Sequence, residues 1–237
     1  MIVDLTVLFD NYPAEEGFET GWGYSCFIKK DEEGILFDTG ADGQKLIKNI
    51  QKAEIKSDLI SKIVISHAHE DHSGGLKEAV ELNSQIEIYV GDSFYNGVKA
   101  LLPYAKLKKV SSEPLEITEE VYLTGELGEK IKEVSLIINT KEGLIIITGC
   151  AHPGVEKIIE RATSIVKKNI LALLGGLHLM YKNKKEILEL ISYLKSKNVK
   201  YIASSHCTGE LARKLFEENF GERFIKAGVG THLSFKN

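Results

Sequence analysis

The chain has 237 residues with 34 acidic and 30 basic side chains, giving a net charge of −4, and it is 43% hydrophobic and 27% charged. That balance fits an ordinary folded protein with room for a sizeable core, and it gives no basic face that would make nucleic acid the default partner. No apolar run approaches the roughly 20 residues needed to span a bilayer, and the start "MIVDLTVLFDN" reads as a strand rather than a signal peptide.

In chain order, "IVDLTVLF", "YSCFIKK" and "GILFDTG" read as three early strands, with Gly34 expected at a hairpin turn. "DGQKLIKNIQKAEI" follows as a helix with Leu46, Ile47 and Ile50 on one face. "SKIVIS" is a strand that delivers His67 to its C-terminal end, "GGLKEAVELN" the next helix and "QIEIYVG" the next strand. "DSFYNGVKALLP" is a helix stopped at Pro103. From 106 to 148 the pattern shifts to short strands separated by turns: "KLKKVSS", "PLEIT", "VYLTGEL", "EVSLIIN" and "GLIIITG". Alternation then resumes with helix "PGVEKIIERATSIVKK", Pro153 in its first turn, strand "ILALLGG", helix "KKEILELISYLKSK", strand "KYIASS" and helix "GELARKLFEENF". Ile187, Leu188, Ile191 and Leu194 recur at helical spacing and read as core. The chain has no linker or low-complexity tract, so one domain over 1–237 is expected. It is built of two halves, each with antiparallel strands followed by β-α units. Two sheets packed face to face with helices outside would bury such strands.

The stretch "VISHAHEDHSGGL" places three of the seven histidines and an aspartate within six residues. A hydrophobic core gains nothing from such a cluster, because each imidazole needs a polar partner and an ionised Asp71 needs a counter-charge. His67, His69, Asp71 and His72 follow directly on a strand, where folds of this kind build sites. Imidazole nitrogens and a carboxylate are donors for borderline divalent metals. A solvated loop of histidines is the plainer alternative. Three further histidines follow predicted strands: His152, His178 and His206. A fourth, His232, reads as a strand or surface residue near the C-terminus.

At these residues the chain resembles the metallo-β-lactamase superfamily. "SHAHEDHSGGL" matches its H-x-H-x-D-H-x-G-G motif, and "ILFDTG" matches the strand and aspartate upstream. "LFDN", "TGCAHPGV", "GGLHL" and "SHCTG" look like a subfamily of archaeal and bacterial hydrolases. Some members of that subfamily are named dihydropterin–ribofuranosylaminobenzene phosphate synthases. The resemblance implies an α+β fold, a four-layer αββα sandwich, and two divalent metal ions, Zn first and Fe or Mn as alternatives. It implies that His67 and His69 bind one ion while Asp71 and His72 bind the other. His206 would complete the second ion's ligands and His152 the first's.

The chain departs from the superfamily pattern at two places. "EVSLIIN" lacks the histidines expected before the hairpin, and "TGCAH" carries Cys150 where a bridging aspartate is usual. Cys150 is either a thiolate ligand or an inert buried cysteine, and Glu133 either stands in for a histidine or is a surface strand charge. His178 either faces the site, binding substrate or donating a proton, or belongs to a tight turn. Asp38 either accepts the second N–H of a ligand histidine or caps the following helix, with Thr39 beside it. Asn11 approaches the site or is a turn residue. Trp22 and Tyr24 line a pocket or anchor a loop.

The function expected is a metal-dependent hydrolase of an ester, lactone, thioester or phosphoester, with Asp71 and His178 as catalytic groups. The substrate would be a small molecule, a phosphorylated one being suited to the helix N-termini after "SGGL" and "PGV". Two alternatives stand beside it: condensation of a pterin diphosphate with an arylamine, and a non-catalytic binding module on the same scaffold. A flavin-linked diiron protein would need a flavin domain that this chain lacks. Cys26, Cys150 and Cys207, odd in number and without a C-x-x-C, suit a reduced cytoplasmic setting.

Overall fold

The computed structural model describes residues 2–236. It is an α+β protein with two mixed sheets, and it divides into two compact units. One unit runs to Ser111 and includes the chain again from Gly228; the other is Ser112–Ala227.

The first unit holds a seven-stranded sheet in the order β13-β1-β2-β3-β4-β5-β6. Its strands are β1 (Ile2–Phe9), β2 (Ser25–Lys30), β3 (Glu33–Phe37), β4 (Ile60–Ile65), β5 (Glu87–Gly91), β6 (Lys106–Val110) and β13 (His232–Lys236). Pairing is antiparallel from β13 to β3 and parallel from β3 to β6. The parallel half needs crossovers. These are α1 (Gly43–Lys52), the short α2 (Glu70–Ser73) and α3 (Leu76–Val80), and α4 (Asp92–Leu101). Leu46 and Ile50 of α1, Leu76 and Ala79 of α3 and Val98 of α4 pack with Phe27, Leu36, Ile63, Ile65 and Ile88 of the sheet. The alternate residues Ile28, Ile35, Phe37 and Val64 are buried as well. Burial on both faces is why these strands read as continuous apolar runs rather than alternating ones.

Asp42 caps α1, its side chain accepting from the Lys45 N–H. Gly34 is not the hairpin turn. It lies inside β3, paired with Lys29, and the turn is at Asp31–Glu32 with Asp31 in the left-handed region. Gly34 is small for a packing reason instead: a Cβ there would stand 2.5 Å from the Leu59 carbonyl oxygen.

The second unit holds a six-stranded sheet in the order β12-β11-β10-β9-β8-β7. Its strands are β7 (Leu115–Thr118), β8 (Val121–Leu123), β9 (Leu136–Thr140), β10 (Gly143–Thr148), β11 (Ile170–Gly176) and β12 (Tyr201–Ser205). Again an antiparallel set, β7 to β10, is followed by a parallel one, β10 to β12. Helices α5 (Val155–Ile165), α6 (Lys184–Ser196) and α7 (Glu210–Phe220) complete it. Pro153 lies before α5 rather than in its first turn, because Gly154 is the N-cap. A capping box starts α6: the Asn183 side chain accepts from Lys185 and Glu186 N–H, and Glu186 accepts from the Asn183 N–H. Ile187, Leu190, Ile191 and Leu194 are buried on α6, while Leu188 is only partly so. Each fully buried aliphatic side chain contributes roughly 1.5–3 kcal/mol.

Gly175 sits at φ +99°, and a Cβ there would fall 2.0 Å from the Thr148 carbonyl oxygen on β10. Gly175→Ala combines left-handed strain with a backbone clash that must push neighbouring central strands away from each other. A loss of roughly 3 kcal/mol or more is expected, read as a lower urea midpoint at unchanged m. No helix among the described residues is long and apolar enough to cross a membrane.

Candidate metal centre

In each unit the polar side chains gather where parallel strands end. In the first unit, β3 and β4 lie side by side, so Asp38 and His67 emerge next to each other at their C-terminal ends. Asp38 is fully buried with φ +59°. Its Oδ1 accepts from the Ser66 N–H at 2.7 Å, and its Oδ2 accepts from Ser66 Oγ at 2.7 Å and from His72 Nδ1 at 2.6 Å. The cap of α1 is Asp42, so Asp38 orients a histidine rather than starting the helix.

This network sets two tautomers. A carboxylate only accepts, so His72 carries its proton on Nδ1 and turns Nε2 outward. Ser66 Oγ has one proton and gives it to Asp38. The 2.8 Å contact between Ser66 Oγ and His67 Nδ1 is therefore donated by the imidazole, which leaves His67 Nε2 as the lone-pair nitrogen. That nitrogen stands 3.0 Å from His69 Nδ1, and the His67 and His72 rings are 4.2 Å apart. Asp71 Oδ2 lies 3.7 Å from His72 Nε2. Thr39 clamps the loop, its N–H and Oγ1 both donating to the His72 carbonyl at 2.8 and 3.1 Å.

Two nitrogens bound to one tetrahedral ion, at about 2.0–2.1 Å from it, stand about 3.3 Å apart. The 3.0 Å spacing of His67 and His69, with the other ring nitrogen of His67 held by Ser66, is thus close to what a metal ion requires. The donor set fits a divalent ion of the Zn, Fe or Mn kind.

Nearby, Tyr24 is buried and its N–H donates to the Asp71 carbonyl at 3.2 Å, so it anchors the loop; Trp22 is about half exposed. Asn11 is half-buried in the bend after β1. His232 opens β13 and is exposed, as its sequence context suggested.

In the second unit, β10, β11 and β12 are parallel neighbours, and each is followed by a histidine: His152, His178 and His206. The His152 and His178 rings are 4.5 Å apart. Ala151, His178 and His206 all have φ between +51° and +59°. Left-handed backbone at non-glycine residues is costly and gathers at functional sites. Glu133 is neither a metal-facing substitute for histidine nor a surface charge. It is buried, its Oε1 accepting from the N–H groups of Gly149, Cys150 and Ala151 and its Oε2 from that of His152, at 2.9–3.1 Å. One carboxylate thus holds the whole loop that presents Cys150 and His152.

Cys207, whose chemistry sequence reasoning passed over, is buried beside His178 and Cys150. Burial alone would raise its thiol, but hydrogen bonds with Cys150 and His178 and the proximity of His206 outweigh it, leaving the thiol well below the usual range. The same hydrogen bond, donated by the imidazole and accepted by the Cys207 sulfur, raises His178. The signal lay in "SHC", a thiol adjoining a strand-end histidine. A cleft of about 460 Å³ opens beside His152 and His178, with Pro153, Val155 and Leu179 among its apolar lining and Glu156 and Lys182 among its charged groups.

The comparisons with known proteins agree with this arrangement of strands and helices. The metallo-beta-lactamase superfamily model matches residues 22–149, more than half of the chain. The 7,8-dihydropterin-6-methyl-4-(beta-D-ribofuranosyl)-aminobenzene-5'-phosphate synthase of Methanocaldococcus jannaschii is 27% identical, over 90% of each chain. The crystal structure of Tm1679, described as a metal-dependent hydrolase of the beta-lactamase superfamily, is 27% identical with a TM-score of 0.84, covering 99% of this chain and 100% of that one. The metallo-beta-lactamase fold protein YhfI of Bacillus subtilis, 16% identical, shares the fold with a TM-score of 0.71 over 99% of both chains. The chain belongs to the metallo-β-lactamase superfamily, whose members are metal-dependent and for the most part hydrolases.

Proposed function

We propose that the chain is a metal-dependent hydrolase working with two divalent ions. In the first unit His67, His69, Asp71 and His72 would supply ion ligands, and in the second His152 and His206 would. Zn²⁺ suits this donor set best, and Fe or Mn would take the same ligands. The observation that carries the reading is the pair of tautomers set by Asp38, which leaves the outward nitrogens of His67 and His72 as lone-pair donors beside Asp71. Ions bound there would supply a water of lowered pKa and a Lewis acid for a carbonyl or phosphoryl oxygen.

The protein's own groups then divide the remaining work. Asp38 and Ser66 keep the ligand histidines in one orientation. Asp71 takes up the proton released by the attacking water. His178, exposed at the cleft, donates a proton to the leaving group. The cleft's apolar lining receives the body of a small-molecule ester, lactone, thioester or phosphoester.

A second reading is favoured by one observation, the name and full-length similarity of the Methanocaldococcus jannaschii synthase. On that reading the same centre assists departure of diphosphate from a pterin while an arylamine attacks.

Both readings are tested with chelator-stripped protein reloaded with Zn²⁺, Fe²⁺ or Mn²⁺. Two ions per chain are expected, with hydrolysis of at least one member of an ester, lactone, thioester and phosphodiester panel. His67→Ala should bind fewer ions and lose at least about 100-fold in rate, in line with removal of a metal-held group. Pyrophosphate release from a dihydropterin diphosphate, without turnover of the panel, would favour the condensation. Full metal loading with neither activity would overturn both readings.

A further inference from the structure

We infer that Cys150, His178 and Cys207 form a second kind of metal site, one for a thiophilic d10 cation such as Zn²⁺, Cd²⁺ or Cu⁺. Two thiols and an imidazole converge there from the ends of three adjacent strands, β10, β11 and β12, and their ligand atoms all lie within 4.8 Å of one another. Sulfur and nitrogen atoms on one tetrahedral ion, at about 2.3 and 2.0 Å from it, stand roughly 3.5–3.8 Å apart. Closing the cluster on an ion therefore takes side-chain shifts of roughly 1 Å.

The backbone holds the three groups in place. The Leu179 and Met180 N–H groups both donate to the Cys207 carbonyl at 3.2 Å, and the Leu177 N–H donates to Thr208 Oγ1 at 3.1 Å. The loop bearing His178 is thereby tied to the loop bearing Cys207. Cys207 Sγ approaches the Cys150 carbonyl at 3.8 Å. Space for the thiols is provided by Gly176, where a Cβ would lie 2.6 Å from Cys207 Sγ and 3.3 Å from Cys150 Cα. His178 is exposed, and with Ala151 it lines the cleft that gives an ion access.

Two thiolates and one imidazole are soft donors that select Zn²⁺, Cd²⁺ or Cu⁺ over Mg²⁺ or Mn²⁺. Binding sends the thiol protons to solvent and requires no oxidant or reductant. The site does not depend on the hydrolytic reading: its three ligands lie outside the metal-ligand set proposed there, and His178, the proton donor of that reading, is taken up only when the thiophilic cation binds.

The test is titration of the Mn²⁺-loaded full-length protein with Cd²⁺, kept reduced by a phosphine, while recording the ultraviolet sulfur-to-cadmium charge-transfer band. One saturable equivalent per chain is expected. Cys207→Ser should lose that equivalent, and Cys26→Ala should keep it, since Cys26 is a buried thiol pushed up to about 12 by desolvation. His178→Ala, at an exposed position, should keep a sulfur band but weaken Cd²⁺ binding at least tenfold. A wild-type band and affinity in Cys207→Ser would overturn the site, because Cys150 alone would then supply the sulfur. Unchanged affinity in His178→Ala would overturn it as well, whether or not Cys207→Ser folds. The readout is spectroscopic, so a protein inactive on every ester can still satisfy it.

Discussion

Asp38→Ala is expected to lower metal affinity about 10–100-fold, the usual consequence of removing a group that orients a metal ligand. The effect should fall on both ions, because Asp38 reaches His72 directly and His67 through Ser66. The metal-free protein should lose stability too. The substitution strips a buried carboxylate that accepts three hydrogen bonds and leaves the Ser66 and His72 donors without it. Hydrogen bonds to charged groups contribute about 1.5–3 kcal/mol each, so a loss of about 3 kcal/mol or more follows.

Asp38→Asn separates the two effects. The amide oxygen can still accept from the Ser66 N–H, but its NH₂ faces a His72 Nδ1–H, and two donors oppose each other. Relief comes by moving the His72 proton to Nε2, the atom proposed to bind metal. The Asn variant should therefore fold nearly as well as wild type while losing much of the metal affinity. Competition with a chromophoric chelator and urea unfolding of the apo protein measure the two quantities. Wild-type affinity in both variants would mean that Asp38 only supports the loop.

Glu133→Ala should strongly destabilise the second unit. It leaves three buried backbone N–H groups, those of residues 149 to 151, and the partly buried one of residue 152 without their acceptor. Each unsatisfied group costs about 1–3 kcal/mol, partly recovered where water enters, so about 4 kcal/mol is expected. For a chain of this size that lowers Tm by roughly 8–16 °C. Glu133→Gln should be milder. Its amide oxygen can replace Oε1, which serves three of the four donors, and only the His152 N–H meets an NH₂ group. The cost should be about 1–3 kcal/mol, with the local effect centred on His152. Thermal melts of the two variants give the order, and equal melting of Ala and wild type would show that the loop holds itself.

The alternation of strands and helices was legible because it is a local signal. Apolar runs such as "GILFD" and "GLIIITG" between turn residues mark buried strands, and "KKEILELISYLKS" marks an amphipathic helix whatever lies around it. The H-x-H-x-D-H stretch was legible for a similar reason: its members lie within six residues, so their proximity is guaranteed by the chain. Placement of His152, His178 and His206 after strands could also be read, since parallel neighbouring strands bring their C-terminal ends to one edge.

What could not be read were contacts between residues far apart in sequence. Gly34 looked like a turn because glycine favours turns, yet it is required by the Leu59 carbonyl packed against its strand. Glu133 looked like a surface charge because nothing within its own strand needs a carboxylate. Its partners lie 16 to 19 residues away. Cys207 and Cys150 are 57 residues apart and meet only because β11 lies between β10 and β12.

The sequence by itself determined the order of elements, which rests on periodicity, and the gathering of His67, His69, Asp71 and His72 within six residues, the motif that carries the resemblance to the superfamily. Only the tertiary structure decided that Asp38 sets two histidine tautomers, that Glu133 holds the second loop and that two cysteines share His178. A hydrogen bond or a shared ion depends on distances of a few ångströms, and for residues on different strands those are set by sheet order and packing.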